Sequence, residues 1–126
     1  TRIGERAPLH CTGVGKVLMA YLPEEERAEL LTRIDLPRFT AATICDRGIL
    51  EQELKQVAAQ GYALDSEERE EDVTCMAAPV HDYSGEVVAA LSISAPSSRL
   101  DKERQQVLVP RLMVTADNIS RDLGYR

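Results

Sequence analysis

Along the first half of the chain the apolar positions recur at helical spacing. Val14, Val17, Leu18 and Tyr21 mark one face of a helix that Thr12 is placed to cap. Pro23 stands where a first helical residue is favoured. The Glu24-Glu25-Glu26 that follows suits the positive end of a helix dipole, so a short second helix is predicted to about Leu31. Asp46 is a cap for a third helix carrying Ile49, Leu50, Leu54, Val57 and Ala58, with Gly61 as its stop.

Beyond Gly61 the period changes. Tyr62 to Asp65 reads as a short strand, and the acidic run Asp65 to Asp72 as a solvated connection without the alternating ligands or glycine of an EF-hand. Val73 to Val80 and Val87 to Ala95 are β-prone runs on either side of His81-Asp82-Tyr83-Ser84-Gly85-Glu86, and predict an antiparallel hairpin. Pro96 ends the second strand. A last helical pattern follows from Asp101 to Leu123 through Leu108, Leu112, Ala116 and Ile119, stopped by Gly124 and expected to kink or divide at Pro110. No repeat or linker divides the chain. The reading is one α+β domain over residues 1–126, an antiparallel sheet flanked by helices.

The hairpin carries a sharper expectation. An even-length loop centred between Tyr83 and Ser84 pairs Val80 with Val87, and therefore Cys75 with Ser92. One face then collects Val73, Cys75, Ala77 and Pro79 with Val88, Ala90, Ser92 and Ser94, mostly small and partly hydrogen-bonding. The other collects Thr74, Met76, Ala78, Val80, Val87, Ala89, Leu91 and Ile93, the composition of a packed core. The small face is suited either to line a ligand cavity or to lie tightly under a helix.

Composition narrows the function classes. With 44% hydrophobic residues but no Trp and one Phe, the core must be aliphatic. A net charge of −6 argues against a broad phosphate-binding surface. Cys11, Cys45 and Cys75 lie far apart, which suits a reducing compartment and predicts a cytoplasmic protein. No apolar run reaches the length of a membrane span and the charged opening is not a signal peptide, so no membrane contact is expected. Gly13-Val14-Gly15-Lys16 fails as a phosphate loop, because His10 and Val17 stand where Gly and Ser or Thr are required. It also fails as a dinucleotide fingerprint at Leu18. Two histidines and scattered cysteines give no metal-ligand spacing, and His10-Cys11 are adjacent residues that point apart. The expectation is no catalytic residue, no metal and no cofactor.

The run from Gly4 to Ala20, including Pro8-Leu9-His10-Cys11-Thr12-Gly13-Val14-Gly15-Lys16, resembles the opening of the effector-binding domain of the isocitrate lyase regulator (IclR) family of transcriptional regulators. Thr40 and Thr43, Gly61-Tyr62-Ala63 with Asp65 and Glu67-Glu68, and Cys75-Met76-Ala77-Ala78-Pro79-Val80 resemble successive family blocks, in order. Ser92-Ile93-Ser94, Pro96, Arg99, Ile119-Ser120 and Leu123-Gly124 extend the likeness to the end. The chain departs from the pattern at Glu71-Asp72, where many relatives carry a small residue or Gly, and at Val14, often Ala.

The resemblance implies a GAF-like sensor fold, attached in the full protein to an N-terminal winged helix-turn-helix absent from these residues, with a helix and strands of the domain itself upstream of Arg2. It places the ligand pocket on Gly13, Val14, Asp65, Cys75, Ser92 and Ser94. The partners it implies are a small-molecule effector, DNA only through the missing domain, and further copies of the chain as a homodimer or homotetramer. The physical case for a small carboxylate effector is the set of free amides at the start of the first helix, facing the hydroxyls of Ser92 and Ser94. Two alternatives stand beside this one: a thiol enzyme using Cys75 with His10 or His81, and a dimerisation module without a ligand.

Overall fold

The structure, a computed structural model, describes residues 8–126. The opening residues of the family likeness, Gly4 to Ala7, lie outside the described residues.

Helix α1 (Gly13–Ala20) starts where Thr12 turns extended and its hydroxyl accepts from the Gly15 amide at 3.1 Å. Helix α2 (Glu24–Arg33) follows Pro23, which is the extended residue before the helix rather than its first helical position. Helix α3 (Arg47–Gln60) is capped by Asp46, whose carboxylate accepts from the Ile49 amide at 3.0 Å, and is ended by Gly61 at φ 88°. In that left-handed conformation a side chain clashes with the preceding backbone, so glycine is favoured.

Three strands follow: β1 (Ala63–Ser66), β2 (Val73–His81) and β3 (Val87–Pro96). They form an antiparallel sheet in the order β1-β2-β3. Helix α4 (Lys102–Asp122) begins at an Asp101 cap and runs unbroken through Pro110, so the expected division does not occur. Pro110 is exposed, and the carbonyl it leaves without a helix partner belongs to exposed Gln106, where water can satisfy it. The arrangement is α+β.

The sheet separates two apolar clusters. On one face Val17, Met19 and Ala20 of α1, Leu31 of α2, and Leu50, Leu54 and Val57 of α3 pack on Ala63 and Ala77. On the other Met76, Ala78 and Val80 meet Leu100, Leu112 and Ala116, with Leu91 and Ile93 partly buried against them. The small residues of the first face therefore let α1 approach closely: a Cβ on Gly13 would lie 3.1 Å from the Ala77 Cβ and 3.4 Å from the Cys75 Sγ.

The hairpin register differs from the expected one, and the cause is local. Its loop is odd: the Asp82 amide bonds the Glu86 carbonyl at 2.9 Å, leaving Tyr83, Ser84 and Gly85 at the tip, with Gly85 at φ 88°. An odd loop alone would exchange the faces of β3. A bulge restores them, because His81 pairs with Val87 but Val80 pairs with Ala89, leaving Val88 unpaired and half-exposed. Cys75 therefore pairs with Ser94 rather than Ser92, and Ala77 pairs with Ser92. Only Val87 and Val88 depart from the expected faces; Val87 joins the α1 cluster.

The acidic run is also not simply solvated. Glu70, Glu71 and Asp72 are exposed, but Asp65 and Glu68 are buried.

Candidate functional site

The antiparallel register aligns one residue from each strand in a row: Asp65 pairs with Cys75, and Cys75 pairs with Ser94. The next row on the same face is Ala63, Ala77 and Ser92. A diagonal neighbour on an antiparallel sheet remains within side-chain reach. Ser92 is such a diagonal neighbour of Cys75, and Gly13 lies over the sulfur, since a Cβ built on it would be 3.4 Å from Sγ. Gly13, Asp65, Cys75, Ser92 and Ser94 thus share one region. Ser92 and Ser94 are exposed, Cys75 half-buried, Asp65 buried. Val14 departs from the group, since its side chain packs against the α1 cluster and only its backbone belongs to the helix start.

The helix start keeps donors available. Thr12 takes the Gly15 amide on its hydroxyl and the Lys16 amide on its carbonyl, so the Gly13 and Val14 amides precede the first intrahelical bond.

Asp65 is held from below by a buried polar network. Its carboxylate accepts from the Glu68 amide at 2.8 Å. The Thr40 hydroxyl donates to the Glu67 carbonyl and the Thr43 hydroxyl to the Glu68 carbonyl, each at 2.6 Å. Lys16, wholly buried, donates to Glu53, Glu68 and the Leu64 carbonyl, each at 2.8 Å. That satisfies all three protons of its ammonium. The second oxygen of Glu68 is buried without a hydrogen-bond partner.

Burial pushes the Asp65 carboxyl up from its ordinary value, against the opposing pull of the Glu68 amide and the Lys16 charge. Burial pushes Glu68 up as well, opposed by Lys16. The Cys75 thiol is raised by burial and by the Asp65 carboxylate, with the Gly13 amide and Ser92 hydroxyl acting in the other direction. Cys11, buried below the helix start, is pushed up to about 11, first by burial and then by Asp65.

These directions weigh against thiol catalysis, which needs a lowered thiol pKa and a base in reach. His10 places its Nε2 2.8 Å from the Pro37 carbonyl. His81 is six residues along β2 from Cys75, about 20 Å at strand rise, stacked on Tyr125 with ring centroids 4.5 Å apart.

Two grooves among the described residues lie elsewhere. One of about 540 Å³, lined by Ile93, Ala95, Arg99, Leu100, Arg104 and Leu108, is on the α4 side of the sheet. One of about 370 Å³, lined by Tyr21, Pro79, His81, Met113 and Tyr125, is at the turn end. Neither brings together polar groups from three strands and a helix start. Among the described residues no group of His, Cys, Asp and Glu is arranged to hold a metal ion.

The row of Asp65, Cys75 and Ser94 beneath Gly13 accords with the family blocks that contain these residues. The family model for the C-terminal region of bacterial IclR transcriptional regulators matches residues 1–121. The chain belongs to the IclR family, as its C-terminal domain.

Known relatives agree with this IclR domain over nearly its whole length. It is 43% identical over 125 residues to the HTH-type transcriptional regulator KdgR of Dickeya chrysanthemi, covering 99% of this chain and 41% of that protein. It superposes on the crystal structure of the C-terminal domain of E. coli KdgR with a TM-score of 0.89 at 43% identity, covering 97% of this chain and 74% of that one. It superposes also on the inducer-binding domain of a double mutant of PobR from Acinetobacter, in complex with 3-hydroxybenzoic acid. There the TM-score is 0.84 at 30% identity, covering 96% of this chain and 67% of that one. The chain spans half or less of the length of its first curated relatives.

Sequence reasoning missed Lys16, Glu53, Glu68 and Arg69. Lys16 lies in a run that resembles a failed phosphate loop. The useful signal was a lysine between Gly15 and Val17 on a helix whose neighbours are apolar, since a lysine surrounded by core positions needs carboxylates.

Proposed function

We propose that this IclR domain is the ligand-sensing part of a transcriptional regulator. In this reading it binds a small carboxylate between the start of α1 and the small face of the sheet, and controls DNA binding by an N-terminal winged helix-turn-helix outside these residues. The observation that carries the reading is the row Asp65, Cys75 and Ser94, with Ser92 beside it and Gly13 above it. The exposed hydroxyls and the helix-start amides offer hydrogen bonds to an anion, and the small side chains leave room for it. Asp65 takes a ligand hydroxyl or orients a water. The PobR domain, whose named ligand is a hydroxylated carboxylic acid, supports the class.

The longer protein is proposed to be cytoplasmic and to act as a homodimer or homotetramer. We assign the outer edge of β3, ten residues long and unpaired among the described residues, to strands of the same domain upstream of Arg2. No described helix is long and apolar enough to cross a membrane.

The test is calorimetric titration with small carboxylates, with thermal shift as a second readout, because a ligand of the folded state raises its stability. Ser92→Leu fills the small face and is expected to abolish binding with the fold intact, while Cys75→Ser retains it. Retention of binding by Ser92→Leu would reject the pocket. Turnover of a ligand that Cys75→Ser removes would replace sensing with catalysis.

A further inference from the structure

A carboxylate seated beside Asp65 needs a cation, and the network below the site does not supply one. Lys16 has all three of its protons engaged and is wholly buried. The start of α1 contributes only partial charge. The loop after β1 carries the remaining candidate.

Arg69 is half-buried and directly follows Glu68, whose amide bonds the Asp65 carboxylate at 2.8 Å. Its guanidinium carbon lies 4.4 Å from the centre of the Phe39 ring. The Phe39 ring lies 6.0 Å, centroid to centroid, from the ring of His10, two residues before the Thr12 cap, so the guanidinium sits on the helix-start side. Among the described residues the guanidinium makes neither an ion pair nor a side-chain hydrogen bond. An arginine that stacks its face on an aromatic ring keeps its edge of N–H donors free, in the fork geometry that matches a carboxylate.

We infer that Arg69, stacked on Phe39 and next to the Glu68 amide that bonds Asp65, is the residue that binds the effector's carboxylate and sets the preference for an anion. The inference rests on the sensing site proposed above. In it Asp65 and Arg69 divide the ligand between them: the aspartate faces a ligand hydroxyl and the arginine faces the carboxylate. Phe39 fixes the guanidinium plane, and the Thr40 and Thr43 hydroxyls tie its loop to the Glu67 and Glu68 carbonyls. The two loops that carry Phe39 and Arg69 are therefore joined by hydrogen bonds.

The experiment compares two matched pairs of probes by titration calorimetry: lactate with lactamide, and 3-hydroxybenzoate with 3-hydroxybenzamide. Each is measured on the unaltered chain and on Arg69→Met, Arg69→Lys and Ser92→Leu. A charge-assisted hydrogen bond lost to Met is expected to weaken the binding carboxylate about tenfold or more. The expected result is that loss in Arg69→Met, partial recovery in Arg69→Lys, and no change for the matching amide. Equal weakening of carboxylate and amide by Arg69→Met overturns the inference, because the arginine is then only structural. Unchanged carboxylate affinity in Arg69→Met, with loss in Ser92→Leu, overturns it while leaving the site in place. Binding that survives Ser92→Leu, or no binding of any probe, overturns the site and this inference with it.

Discussion

Lys16 and Glu68 lie 2.8 Å apart, Nζ to Oε2, with the lysine wholly buried and the glutamate nearly so. The pair joins α1 to the loop that follows Asp65 and β1, so the helix and the strand end are fixed relative to each other. Removing one partner strands the other charge in the interior. Lys16→Met is therefore expected to cost about 3–5 kcal/mol in urea unfolding, and pairing it with Glu68→Leu to recover much of that loss. A single-variant cost below about 1 kcal/mol would mean that the contact does not hold the fold.

Asp65 gives a pH signature of known sign. Its folded value is raised by burial above the ordinary 3.8. Its contribution to stability is thus fully present below 3.8 and is lost as pH rises through the raised folded value. Asp65→Asn, which keeps an oxygen for the Glu68 amide, removes this term. The variant is expected to gain stability relative to the unaltered chain as pH rises from acid to neutral. A difference that stays constant across that window would contradict the assignment.

Cys11 acts at the other end of the scale. With its thiol pushed from 9.0 to about 11, its contribution is whole below 9.0 and is lost as pH rises through about 11. The stability difference between the unaltered chain and Cys11→Ala should therefore narrow over that interval. Urea midpoints at successive alkaline pH values measure it. Iodoacetamide at neutral pH should leave Cys11 unmodified until the chain is unfolded, since the buried thiol is protonated.

Asp72 adopts φ 63° at an exposed position before β2. A side chain is strained in that region, and Asp72→Gly is expected to stabilise the fold by about 0.5–1 kcal/mol. The Ser97 amide bonds the Asp72 carbonyl, which glycine retains. Thermal unfolding should show a higher midpoint; a lower one would mean that the Asp72 side chain has a role its exposure does not suggest.

Two glycines of α1 separate folding from binding. A Cβ on Gly15 would lie 2.5 Å from the Leu9 backbone, and one on Gly13 3.1 Å from the Ala77 Cβ. Gly15→Ala meets backbone that cannot swing aside and is expected to cost more than about 2 kcal/mol. Gly13→Ala asks only a few tenths of an ångström from the helix, so it should cost less but weaken ligand binding by lifting the helix start from Cys75. Chemical denaturation ranks the two costs, and calorimetry reads the second effect.

Local chemistry determined the elements. Thr12, Asp46 and Asp101 have side chains that reach their own helix amides, and Gly61 supplies a left-handed residue without steric cost; these are facts of a few adjacent residues, so the sequence by itself located those ends of α1, α3 and α4. Period-two alternation likewise determined which residues of β2 and most of β3 share a face, which is why Cys75, Ser92 and Ser94 were legible as one group. The tertiary structure decided the rest. The odd loop and the Val88 bulge together shifted Cys75 from Ser92 to Ser94, an outcome set by hydrogen bonding at the turn and not by the alternation it preserves. Exposure of Pro110 let α4 continue. The network of Lys16 with Glu53 and Glu68 unites residues 37 and 52 positions apart. Only the folded chain brings such charges together and makes their burial tolerable, because each carboxylate replaces water the lysine has lost.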